Sequence, residues 1–129
     1  MESKVKLFLV DDDPFFLELL KDNLVENPRL DISWFGTGEA CLAEMNKQPS
    51  IVVLDFYLNR VDPDAQNGHE ILKKILDDYP DTKVIMLTGQ DSLSRAESMM
   101  DSGASFYITK DKDAPDLIER KINLILKSL

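Results

Sequence analysis

Two hydrophobic rhythms alternate along the chain. Short apolar, β-branched runs are followed by longer stretches whose apolar residues recur every three or four positions. The short runs are Val5–Val10, Asp31–Phe35, Ser50–Leu54, Lys83–Leu87 and Ser105–Thr109. Those headed by Val5, Ser50 and Lys83 are almost unbroken in their hydrophobicity. Strands covered on both faces read this way, so the pattern predicts a parallel sheet. The first helical stretch begins at Pro14 and carries Phe16, Leu17, Leu20 and Leu24 on one face. The others run over Gly38–Asn46, Gly68–Asp78, Ser92–Asp101 and Ala114–Leu126. Their predicted inward residues are Cys41, Leu42 and Met45, then Ile71, Leu72 and Ile75, and finally Leu117, Ile118, Ile122, Ile125 and Leu126. Asp13 before Pro14 predicts an N-cap followed by a proline in the first helical position. Gly103 predicts a left-handed stop after the fourth helix.

Five strand–helix units predict one doubly wound α/β domain over residues 1–129. Right-handed crossovers place the carboxyl end of every strand on one edge, and ligands of open α/β sheets bind outside that edge. The residues expected there are Asp11, Asp12 and Asp13, then Asp55, then Thr88 and Gly89, then Lys110. Taken singly, most have ordinary readings: Asp13 caps a helix, Thr88 opens a turn, and Lys110 is a surface lysine. Asp55 is harder to dismiss, because it closes an apolar run. Together they bring carboxylates, a hydroxyl and an ammonium to one place from distant segments. Crowded carboxylates repel, and burial worsens the repulsion. A divalent cation relieves it, and hard oxygen donors without a Cys/His set point to magnesium or manganese over zinc. One carboxylate would then remain as a nucleophile toward phosphorus. The lysine and the hydroxyl would bind the other phosphoryl oxygens.

Composition narrows the partners. Lys and Arg total 15 against 24 Asp and Glu, a net charge of −9, which argues against direct binding to nucleic acid. The one cysteine, Cys41, excludes an internal disulfide and a Cys-based zinc site and fits a reducing compartment. No run approaches the roughly 20 apolar residues of a membrane span. The opening Met1-Glu2-Ser3-Lys4-Val5 lacks a signal-peptide pattern. A cytoplasmic location without a membrane partner is the expectation. The single histidine, His69, is expected at the surface at a helix start. Gly36-Thr37-Gly38 is too short for a dinucleotide fingerprint.

Four segments carry a family resemblance: Leu9-Val10-Asp11-Asp12-Asp13-Pro14, Val52-Val53-Leu54-Asp55, Met86-Leu87-Thr88-Gly89, and Gly103-Ala104-Ser105-Phe106-Tyr107-Ile108-Thr109-Lys110. Their order and spacing resemble the receiver domain of two-component response regulators, the chemotaxis regulator among them. The resemblance covers essentially the whole chain. It implies a flavodoxin-like three-layer sandwich with five helices and the strand order 2-1-3-4-5. It makes Asp55 the phosphoacceptor, Asp12 a direct metal ligand and Asp11 a ligand acting largely through metal-bound water. The backbone carbonyl of Tyr57 would complete the protein ligands of Mg2+, with Mn2+ as a substitute. Thr88 would bind a phosphoryl oxygen, and Lys110 would pair with the phosphoryl group, or with Asp55 before it arrives. Tyr107 matches the switch aromatic. Tyr57 and Gln90 occupy the positions that tune hydrolysis, and the bulk of Tyr57 predicts slow loss of phosphate.

The implied function is a signalling switch, not a metabolic enzyme, with intrinsic autophosphorylation and weak autodephosphorylation. A sensor histidine kinase, a phosphotransfer protein or a small phosphodonor would supply the phosphoryl group. The face made by the fourth helix, fifth strand and fifth helix would meet an output protein or domain, or form a homodimer. No output segment follows Leu129, so a stand-alone receiver and one cut from a longer regulator both fit.

Two departures from the family stand out. The segment Phe56–Asn67 is longer than usual, and its Asp62 and Asp64 read as a solvated polar loop. Asp111 follows Lys110, where the family places a proline after a cis bond. A cis bond before a non-proline residue costs about 2.5–4 kcal/mol. A trans bond is therefore expected, or a strained cis one, and Asp111 could compete for Lys110. These departures keep one alternative open, a pseudo-receiver that binds proteins without being phosphorylated. An aspartate-based phosphohydrolase would need a second acid at position 57, where Tyr stands. A flavin protein of this fold would need a phosphate cradle where Asp11-Asp12-Asp13 stands.

Overall fold

In the computed structural model, which describes residues 4–58, 64–89 and 93–129, the two rhythms become strands and helices in strict alternation. They are β1 (Val5–Val10), α1 (Pro14–Leu24), β2 (Leu30–Phe35), α2 (Gly38–Glu44), β3 (Ile51–Asp55), α3 (Gly68–Asp78), β4 (Lys83–Thr88), α4 (Leu93–Asp101), β5 (Phe106–Thr109) and α5 (Ala114–Ser128). The second helix stops short of the expected Asn46, and its last turn tightens into a 3-10 segment, Met45–Lys47. Gln48 then takes a left-handed conformation with φ of 56°. The five strands are parallel in the order β2-β1-β3-β4-β5.

Side-chain alternation divides the core into two layers. Leu7, Leu9, Ile51, Val53, Ile85 and Leu87 pack against α1 and α5, where Leu20, Leu24, Ile118 and Ile122 are buried. Phe8, Val10, Val52, Leu54, Val84 and Met86 pack against α2, α3 and α4, meeting Cys41, Ile71, Ile75 and Met99. Each fully buried aliphatic side chain stabilises by about 1.5–3 kcal/mol, so neither layer is dispensable. Burial pushes the Cys41 thiol up to about 12, so it serves as a neutral apolar filler. Among the described residues no helix is long and apolar enough to cross a membrane.

Helix starts aim at the carboxyl edge. Asp13 caps α1, its Oδ1 accepting from the N–H groups of Phe15 at 3.0 Å and Phe16 at 3.4 Å. Asn67 and Glu70 form a reciprocal capping box at the start of α3. Gly103 ends α4 with φ of +104°, a conformation that strains any residue with a Cβ.

The strand ladder continues past the strand ends. The N–H of Asp11 donates to the Phe35 carbonyl at 3.1 Å, that of Phe56 to Leu87 at 2.8 Å, and that of Lys110 to Thr88 at 2.6 Å. Gly68 completes this scaffold. Its N–H donates to the Phe56 carbonyl at 2.7 Å. A Cβ there would lie 2.2 Å from the Asp55 carbonyl oxygen and 2.7 Å from the Phe56 Cα. The first turn of α3 therefore rests directly on the backbone that presents Asp55. Gly68→Ala should lower stability by roughly 1–3 kcal/mol, the usual cost of overpacking, despite the helix preference of alanine. Urea denaturation measures this, and an unchanged or higher midpoint would show that the contact yields freely.

Candidate functional site

Asp11 lies one residue beyond β1 and Asp55 ends β3, so both sit at the carboxyl edge of adjacent strands. Both are fully buried, at 0% exposure, and Asp12 beside them is half-buried. One carboxylate oxygen from each of Asp11, Asp12 and Asp55 lies within 4.8 Å of the others. Lys110, one residue beyond β5, reaches in from the far side of β4. Its Nζ stands 2.7 Å from Asp11 Oδ2 and 3.6 Å from Asp55 Oδ2. The expectation named Asp55 as the lysine's partner, but the nearer carboxylate is Asp11. The ammonium also lies over the Phe16 ring, 4.4 Å from its centroid.

Burial raises the Asp11 carboxyl above its ordinary value of 3.8, and desolvation is the largest cause. Hydrogen bonds with Lys110, the Asp13 N–H and Asp55, together with the Lys110 charge, pull it back only in part. The Asp13 N–H donates to Asp11 Oδ1 at 2.9 Å. A buried carboxylate with incomplete compensation is a poor resting state and a good cation ligand. The three oxygens form a hard-donor set with no imidazole or thiolate, which fits magnesium or manganese.

The peptide bond between Lys110 and Asp111 is trans. Asp111 does not compete for the lysine. It is exposed, its Oδ1 accepts from the Asp113 N–H at 2.9 Å, and its carbonyl accepts from the Ala114 N–H at 3.1 Å. The acid is spent on the turn into α5.

Thr88 is fully buried at the end of β4. Its Oγ1 accepts from Arg95 Nη1 at 3.2 Å, and the same nitrogen donates to the Tyr57 hydroxyl at 2.9 Å. Tyr57, two residues past Asp55, is half-buried, and its ring meets Phe56 edge-on at 4.9 Å. Tyr107 is half-buried on β5, packed against the layer that holds Met86 and Met99. The structure thus assembles Asp11, Asp12, Asp55 and Lys110 in one cluster. Thr88 and Tyr57 are joined through Arg95 beside it, and Tyr107 lies on the α4 side of β5. Gln90 and Asp62 lie outside the described residues, and Asp64 is exposed. His69 is half-buried, not on the open surface, with Nε2 2.9 Å from Ser102 Oγ.

Sequence reasoning missed Arg95 and the contact of Gly68. No motif marks an arginine in an amphipathic helix as anything but a solvated residue. For Gly68 the signal was available, since a glycine in the first turn of a helix asks for a close approach.

Comparison with known proteins gives concordant results. The family model for the response regulator receiver domain matches residues 7–121. The heme response regulator HssR of Staphylococcus aureus (strain JH9) is 34% identical over 117 residues, covering 90% of this chain and 49% of that protein. The transcriptional regulatory protein DegU of Brevibacillus brevis is 31% identical over 120 residues, covering 92% of this chain and 49% of that protein. The chain thus spans about half the length of both relatives. The CheY-like response regulator receiver domain protein from Methanospirillum hungatei JF-1 superposes with a TM-score of 0.85 at 29% identity, covering 98% of this chain and 96% of that one.

The raised Asp11 carboxyl sets a sign. The folded chain keeps this proton to higher pH than the unfolded chain. The resulting stability is full below 3.8 and is lost as pH rises through the folded value. Asp11→Asn should therefore match or exceed wild type in metal-free stability at neutral pH, with the gap closing as pH falls toward 3.8. Added magnesium should raise the wild-type unfolding midpoint and leave the variant nearly unmoved. Thermal unfolding with and without magnesium across pH reads both, and a variant that responds to magnesium like wild type would remove Asp11 from the cation site.

Proposed function

The chain belongs to the response regulator receiver family of two-component systems, and we propose that it is phosphorylated on Asp55 and works as a magnesium-dependent switch. The observation that carries this reading is the burial of Asp55 within reach of both an acidic cation site and Lys110. In the proposed step, an Asp55 carboxylate oxygen forms a bond to phosphorus. The bond from phosphorus to the donor, a histidine nitrogen or the oxygen of a small phosphodonor, breaks, and the donor leaves with its electron pair. Lys110 then turns from the carboxylates to a phosphoryl oxygen, and the Thr88 hydroxyl donates to another. A cation held by Asp11, Asp12, Asp55 and the Tyr57 carbonyl would neutralise the acids and the incoming phosphoryl charge.

The product carries roughly −1.5 to −2 charge, by analogy with other phosphoresidues. Thr88 and Tyr107 share the α4 side of the sheet, so that charge biases the surface formed by α4, β5 and α5. The pseudo-receiver alternative rests on the longer Phe56–Asn67 segment and on Asp111 in place of the usual proline. Lys110 nevertheless stays at the carboxylates, which supports the phosphorylatable reading.

The phosphodonor protein would dock beside α1. Phe15 and Leu19 there are 82% and 55% exposed. Next to them a cleft of about 370 Å³, lined by Asp13, Phe16, Leu19, Lys110 and Pro115, leads to the lysine. Exposed apolar residues rimming a charged cleft suit a protein partner.

Incubation with magnesium and a small phosphodonor, followed by intact-mass analysis, should add one phosphoryl group to the wild type and none to Asp55→Asn. A phosphorylated Asp55→Asn would reassign the acceptor. The Tyr57 ring, braced by Phe56 and Arg95, should also slow the attack of water on the phosphorylated form. Decay of the isolated phosphoprotein should be slow and should quicken severalfold in Tyr57→Ala. Equal decay in the two would acquit the ring.

A further inference from the structure

The α4 side of the site holds a cation, Arg95, that takes no part in the proposed phosphoryl transfer. Arg95 stands in the first turn of α4 and is half-buried. Its guanidinium carbon lies 4.2 Å from the centroid of Phe56 and 5.2 Å from that of Tyr57. Its Nη1 carries two N–H groups. One points to the Tyr57 hydroxyl at 2.9 Å and the other to Thr88 Oγ1 at 3.2 Å. A single nitrogen thus ties α4 to the residue two beyond the acceptor and to the hydroxyl proposed to bind phosphate.

We propose that Arg95 is a positioning residue that holds Thr88 in its unphosphorylated orientation and releases it on switching. The inference rests on the reading of Asp55 and Thr88 given above. A threonine side chain is stiff about its first torsion, so Oγ1 occupies one of a few discrete positions. The position in this structure directs a lone pair at Arg95. Turning the hydroxyl toward a phosphoryl group on Asp55 moves Oγ1 away from the guanidinium. The stacking on Phe56 and the bond to Tyr57 hold Arg95 back from following. One end of the bridge therefore opens: α4 loses its tie to the end of β4 and keeps the one to Phe56 and Tyr57. A bond present in only one of two states biases the equilibrium against the other, and the coupling is reciprocal. Removing Arg95 should therefore favour the phosphorylated arrangement. A group that served mainly as an anion ligand would do the opposite.

The test is titration of the full chain with beryllofluoride, a phosphoryl mimic, in the presence of magnesium, with the bound form read by fluorine NMR. Arg95→Ala should bind about fivefold more tightly than wild type, a coupling at the low end of the usual range. Arg95→Lys, which keeps the charge but loses the paired N–H fork, should also bind more tightly. Glu97→Ala, an exposed change on the same helix, should bind as wild type does. Tyr57→Phe, which removes one anchor, should tighten binding alone and add nothing in the Arg95→Ala background. Unchanged or weaker binding by Arg95→Ala, an equal gain in Glu97→Ala, or additive effects of the Arg95 and Tyr57 changes would each overturn the proposal. If wild type shows no bound signal, or Asp55→Asn binds equally well, the failure lies instead in the assignment of Asp55.

Discussion

Three carboxylate oxygens held within 4.8 Å of one another, on residues of which two are fully buried, set the terms for the rest of the molecule. At an effective dielectric of about 20, two unit charges at that separation repel by about 3.5 kcal/mol. That repulsion acts to separate the strand ends that carry Asp11 and Asp55. Backbone bonds hold them, with Lys110 between the two side chains. The ladder bonds at Asp11, Phe56 and Lys110 extend the parallel sheet past its formal ends. The start of α3 closes on Asp55 from above because Gly68 has no side chain to hold it off. Burial raises the Asp11 carboxyl, and Lys110, the Asp13 N–H and Asp55 pull it back only in part. A scaffold that keeps like charges together without fully neutralising them is preorganised for a dication.

The two-residue period of a strand gives this edge two sides. Leu7, Leu9 and Val53 face α1 and α5, and continuing that alternation brings Asp11 and Asp55 to the same side. Lys110 joins them, lying over Phe16 of α1. Val84 and Met86 face the other layer, and the same count carries Thr88 toward α4, where Arg95 meets it. Tyr107 packs into that second layer as well. The acids and the lysine therefore belong to one face, and the hydroxyl, the arginine and Tyr107 to the other. A phosphoryl group on Asp55 would be bound from both. On the proposed reading, this split is what lets chemistry on the α1 side be felt by α4 and β5.

The sequence revealed the fold because every local signal agreed. Apolar runs marked the buried strands, Asp13 before Pro14 marked the start of α1, and Gly103 marked the end of α4. The acids were legible for a related reason: strand order was not needed to know that they follow strands. Contacts between side chains from different elements were not legible. The pairing of Lys110 with Asp11 over Asp55 depends on sub-ångström placement at the edge. Arg95 depends on how α4 sits over β4, which periodicity leaves unspecified. His69 looked like a surface residue because its partner, Ser102, lies 33 positions away at the end of α4.

The exchange of a proline for Asp111 illustrates what positions the lysine. If the bond geometry after Lys110 alone aimed the side chain, a trans bond to an acid would be expected to redirect it. The ammonium is instead fixed from two other directions. The Lys110 N–H is tied to the Thr88 carbonyl, which sets where the side chain starts, and the Phe16 ring with Asp11 sets where it ends. Asp111 finds a different use, capping the turn into α5 through the Asp113 N–H. The bond to the Asp113 N–H fixes the Asp111 carboxylate at the exposed turn, away from the buried acids that hold the ammonium. The substitution is absorbed by local hydrogen bonding, and the lysine stays at the buried carboxylates, 2.7 Å from Asp11 and 3.6 Å from Asp55.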